Sequence, residues 1–142
     1  MYKHRLLFSF FTILLTQISF AMPQINGNWH IRVIDGMDVR KARAILDFDM
    51  NKSKLTGFDG CNRISATLVN FTKQAIYTPN LLSTHMACRT AVHTWTRKRL
   101  HETLKESFYI KKETKYGIEG ITIKSVHHEL FLKKMGRNVK QN

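Results

Sequence analysis

Residues 56–68 read TGFDGCNRISATL. In the second half, Ile64, Ala66 and Leu68 alternate with Arg63, Ser65 and Thr67, the period of a strand with one face buried. In the first half, Gly57 and Gly60 bracket Asp59, which reads as a hairpin turn around the two glycines. The same period recurs on both sides. RAILDFDM (43–50) sets Ala44, Leu46, Phe48 and Met50 against Arg43, Asp47 and Asp49, with Ile45 as the exception. WHIRV (29–33) sets Trp29, Ile31 and Val33 against His30 and Arg32, and IDGMD around Gly36 reads as a second hairpin turn. FYI (108–110), GITIKSV (120–126) and HELFLKK (128–134) add short apolar runs.

One stretch departs from this period. TAVHTWTRKRLHETLKE (90–106) lacks proline and glycine, and Val92, Leu100, Leu104 and Phe108 recur at multiples of four, with Trp95 three after Val92. Thr90 is the expected N-cap. Lys98, His101, Glu102 and Lys105 are expected on the opposite side, and Arg99 points towards the apolar arc, where its guanidinium must snorkel or pair. Roughly eight short strands and one helix predict an α+β class. The strands are expected to form a small, mostly antiparallel, barrel-like domain, with the helix at about 90–106 closing an end or a seam.

The N-terminus is expected to be a signal peptide. Lys3 and Arg5 precede the uncharged LLFSFFTILLTQISF, and Ser19 and Ala21 take the small-residue positions of a cleavage site. The run is shorter than the roughly 20 apolar residues of a membrane span. Residues 1–21 are therefore expected to be removed after Ala21, leaving a domain over 22–135 and a basic tail over 136–142. The expected location is the periplasm. The whole chain carries a net charge of +13, and losing Lys3 and Arg5 with the leader leaves +11. That balance attracts polyanions, and export favours anionic lipid or lipopolysaccharide over nucleic acid. TRKR (96–99) and KKMGRNVK (133–140) are the locally dense stretches.

GFDGCNRISATL followed by LLSTHMAC (81–88) resembles the META domain, or HslJ-like, family. The residues that carry the resemblance are Gly60, Cys61 and Asn62, then Ser83, Thr84, Met86, Ala87 and Cys88, with the early Trp29 and the following helix. It spans about Asn26 to Lys134. Thr67 stands where the family has a small residue, and Val92, His93 and Thr94 stand where its helix often carries a glutamate. The resemblance implies a small antiparallel fold with one helix and no shared enzymatic chemistry. It also implies links to envelope stress, antibiotic tolerance, and secretion or motility.

Cys61 and Cys88 are the chain's two cysteines. Three readings stand open for them. The favoured one is a structural disulfide, which an oxidising compartment permits and which would stabilise the fold by about 3.5 kcal/mol on the loop-entropy model. It requires the turn after Gly60 to lie beside an 81–88 strand. The second is a pair of buried thiols packed as small hydrophobes. The third is a nucleophile, with Cys61, His85 or His93, and Asn62 supplying the residue types of a thiol hydrolase. Asn62 beside a glycine turn suits bonds to nearby main chain better than catalysis.

No catalytic group, cofactor or metal is expected. His127 and His128 are adjacent and point apart on a strand, His85 and Cys88 likewise, and His93 and His101 are too widely spaced to share an ion. The expected function is therefore non-enzymatic: a monomeric protein binding an envelope protein or anionic lipid. The alternatives are a barrel carrying an apolar ligand against Leu46, Phe48, Ile64, Leu68, Ile121 and Ile123, or a basic module docking on anionic lipid or lipopolysaccharide.

Overall fold

The computed structural model describes residues 24–72 and 74–136. The expected leader, and the tail beyond Gly136, lie outside the described residues. Eleven strands and one helix follow in chain order. They are β1 (Gly27–Ile34), β2 (Met37–Asp38), β3 (Ile45–Asp49), β4 (Lys54–Phe58), β5 (Arg63–Thr67), β6 (Val69–Asn70), β7 (Ile76–Tyr77), β8 (Leu82–Ser83), α1 (Ala91–Lys105), β9 (Tyr109–Lys115), β10 (Ile118–Lys124) and β11 (Glu129–Lys134). The main sheet runs β8-β5-β4-β3-β1-β11-β10-β9, with β2 paired to β1, while β6 and β7 form a separate ribbon. Every pairing is antiparallel.

The alternation in the sequence becomes the two faces of this sheet. Ala44, Leu46 and Phe48 of the β3 region, Ile64, Ala66 and Leu68 around β5, and Trp29 and Ile31 of β1 are buried in one core. In β1 the register shifts between Ile31 and Val33. Such a bulge turns the strand by one residue, so Ile34 rather than Val33 is fully buried. Leu100 and Leu104 of α1 pack into the same core, and Val92 and Trp95 lie against it. Among the described residues no helix is long and apolar enough to cross a membrane.

Three expectations need correction. The sheet does not close into a barrel, because β8 and β9 stand at opposite ends of its path. β8 is only two residues long, since the chain after it turns its polar groups to Asn62 and Arg63 instead of a ladder. The helix and the small ribbon occupy that side instead: Ile76 and Phe108 exchange backbone bonds of 2.7 and 2.8 Å, and Thr78 Oγ1 donates to the Leu104 carbonyl. For the same reason residues 84–88 are not strand, although 81–88 was expected to be.

Gly57, expected in a turn, lies inside β4. A Cβ there would sit 2.1 Å from the Ile45 carbonyl oxygen, so glycine is required by the close approach of β3. The hairpin around Gly36 does form, with Asp35 and Gly36 both at positive φ (48° and 80°), as a two-residue turn demands.

Candidate functional site

The turn that leaves β4 is built on Asp59, which is fully buried. Its Oδ1 accepts the backbone N–H groups of Cys61 (2.8 Å) and Asn62 (2.6 Å), and its own N–H donates to the Asn62 carbonyl (2.9 Å). Gly60 takes φ +102° between them, a conformation that side chains rarely adopt. This turn delivers Cys61 to Cys88, and the two sulfurs are bonded, with Cα atoms 4.7 Å apart. The disulfide reading therefore holds, and both the free-thiol pair and the Cys61 nucleophile fall with it. Asn62 spends its amide on the main chain across the cross-link. Nδ2 donates to the Met86 carbonyl (3.3 Å), and Oδ1 accepts from Thr84 Oγ1 (3.1 Å) and from the Met86 N–H. Thr84 Oγ1 in turn accepts the Arg63 N–H at 3.1 Å.

Asp59 Oδ2 faces the helix. It lies 2.6 Å from His101 Nε2 and 3.9 Å from Arg97 Nε. Burial alone would raise the pKa of this carboxyl, but the His101 bond and the two backbone donors outweigh it and hold it below the ordinary value. His101 was expected on the solvent side of the helix, and so was Glu102. Both instead fasten the helix to the sheet, because partners of opposite charge wait on the sheet side. The periodicity of apolar residues carries no trace of those partners.

The remaining motif residues take separate places. Trp29 is buried and donates from Nε1 to the Ile25 carbonyl (2.8 Å), with Lys134 Nζ 5.4 Å above its ring. Ser83 Oγ donates to the Thr84 carbonyl. Met86 and Ala87 are exposed on the cross-linked segment, as is His85. His93 is held to Thr90 Oγ1 at 2.7 Å. His93 borders the same groove as Cys61, whose sulfur is bonded to Cys88 and so presents no thiol there, and among the described residues no group of three or more His, Cys, Asp or Glu is placed to hold a metal ion.

A second polar cluster was not foreseen. His128, in the turn before β11, bonds Asp35 Oδ2 through Nδ1 (2.7 Å) and Glu102 Oε2 through Nε2 (2.6 Å). Burial lowers the pKa of this imidazole, yet the two carboxylates prevail and raise it above the ordinary value. Arg99, expected to snorkel or pair, does both: its guanidinium carbon lies 3.8 Å over the Trp95 ring, and its Nε is 3.6 Å from Asp35 Oδ2. Neighbouring His127 pairs with Glu106 at 2.6 Å. Asp35 and His128 stand 93 residues apart, so only the folded β1–β11 pairing brings them together.

A family model described as META domain matches residues 22–134. Among curated proteins none matches the chain. Two solved structures share the fold. One is an NMR structure of a protein from Burkholderia xenovorans, 16% identical, with a TM-score of 0.59 over 79% of this chain and 83% of that one. The other is an NMR structure, 18% identical, with a TM-score of 0.61 over 76% of this chain and 88% of its own.

Proposed function

The chain belongs to the META domain family, and from that premise we propose that it is an exported, non-enzymatic protein of the bacterial envelope. It acts there in stress or antibiotic tolerance by binding a partner. The observation that carries this reading is the Cys61–Cys88 bond set into the Asp59–Asn62 turn. Such bonds persist in oxidising compartments and are rare in the cytosol. The charged, small-residue-terminated leader of residues 1–21 supports the same destination. The polar groups of the turn are spent on architecture, which favours binding over chemistry. An apolar-ligand carrier has less support, because Leu46, Phe48, Ile64, Leu68, Ile121 and Ile123 pack against one another in the core, each no more than 6% exposed.

The test is fractionation of cells producing the full chain, followed by intact mass measurement of the recovered protein. A periplasmic form beginning at Met22, with both thiols lost to one bond, is expected. A full-length, reduced protein in the cytosol would overturn the reading.

A further inference from the structure

We propose that the outer face of the sheet, between β11 and β5, is a docking surface for a bilayer of anionic phospholipid. The inference deepens the envelope reading by naming the partner, and in the cell it rests on export; the docking itself is testable in isolation.

One row of cross-strand partners defines the face. Lys133 of β11 pairs with His30 of β1, His30 with Ile45 of β3, Ile45 with Phe58 of β4, and Phe58 with Arg63 of β5. Cations stand at both ends of the row and half-buried apolar side chains at its centre. Four strand spacings give it a length of about 19 Å, wider than a single phosphate.

Two shallow grooves open along this row and share Arg43. One, of about 520 Å³, is bordered by His30, Arg32, Arg43, Lys133 and Lys134, with Met135 at its rim. The other, of about 290 Å³, is bordered by Arg43, Arg89 and His93, with Phe58 and Met86 as its apolar wall. Neither is lined by a carboxylate. The Nε of Arg32 is buried and has no hydrogen-bond partner among the described residues. His30 is pushed towards its neutral form first by burial and then by Arg32, with Asp38 acting weakly the other way. Arg40, by contrast, is already neutralised by Asp38 at 2.6 Å.

The charge is graded along the strands. Two and four residues on from Ile45, the same face carries Asp47 and Asp49, which border a different groove with Lys52 and Lys54. At the opposite end Asp38 is taken up by Arg40, and the two grooves along the row are lined without a carboxylate. Cations spread over several strands, with Met86 71% exposed and Met135 39% exposed beside them, suit a headgroup layer. Such a layer offers many phosphates and an apolar boundary into which methionines can reach. A lone small anion would instead need donors converging on one point.

The test is co-sedimentation of the purified protein with vesicles of phosphatidylcholine, alone or with about one third phosphatidylglycerol. Binding to the anionic vesicles alone, reversed by added salt, is expected. Arg43→Gln with Lys133→Gln should weaken it about 25-fold, near fivefold for each cation. Lys52→Gln with Lys54→Gln, an equal charge change at the acidic end, should change it far less. Circular dichroism checks that both variants fold. Equal weakening by the two pairs would overturn the proposal in favour of diffuse net charge. So would equal binding to both vesicle types, or binding to an acidic polypeptide and to neither vesicle. Cytosolic protein that still docks this way would sink the export reading and leave the surface standing.

Discussion

Carboxylates face both ring nitrogens of His128, Asp35 at Nδ1 and Glu102 at Nε2, and only the imidazolium can donate to both. Its pKa is raised on folding, so its contribution to stability is complete below the ordinary value of about 6.5 and fades as pH climbs through the folded value. Asp59, whose pKa is lowered, behaves in the opposite sense: its contribution is present above the ordinary carboxyl value and is lost as pH falls through the folded one. Thermal melts across pH should therefore show a fall in Tm as pH climbs above about 6.5, and His128→Gln should flatten that limb while leaving the acid limb in place. Asn62→Ala removes three bonds to residues 84–86 and should lower unfolding free energy by about 2–3 kcal/mol in urea titrations. That Asn62 serves the main chain better than catalysis was legible from its place beside a glycine turn, but its partners Thr84 and Met86 lie 22 and 24 residues away and were not. The Asp59–His101 and Asp35–His128 pairs were not, since each joins residues brought together only by tertiary structure.

Among the elements, β3, β5 and α1 announced themselves because each buries one side against the core and exposes the other. The failures came where another interaction displaced that pattern. In β1 the bulge moves Ile34 inwards, and in β4 the backbone of β3 approaches so closely that Gly57 reads as a turn although it is strand. The segment 84–88 has a strand-like sequence, but its hydrogen bonds go to Asn62 and Arg63 rather than along a ladder. It is held instead by the covalent bond at its end. Replacing Cys61 and Cys88 together by serine should lower stability by about 3.5 kcal/mol. The far-ultraviolet spectrum of the sheet should persist, since β1, β3, β4 and β9–β11 pair without help from that segment.

For the molecule as a whole, the class and the single helix were readable from two periods, 2 and 3.6, but closure was not. Whether strands meet around a barrel depends on the last of them being long enough to pair, and nothing in the alternation encodes that length. The sheet stays open, and this has a bearing on solubility. An unclosed sheet leaves two rims of unpaired backbone, each an invitation to another chain. One rim here is only two residues long; the other is β9, YIKKETK, whose Lys111 and Lys112 stand in solvent. Bulky cations on a border strand discourage a second copy from adding its own strand there. Lys111→Val with Lys112→Thr should therefore shift the protein from single particles towards assemblies in light scattering. The excess of lysine in this chain thus also works against self-stacking, quite apart from any partner it attracts.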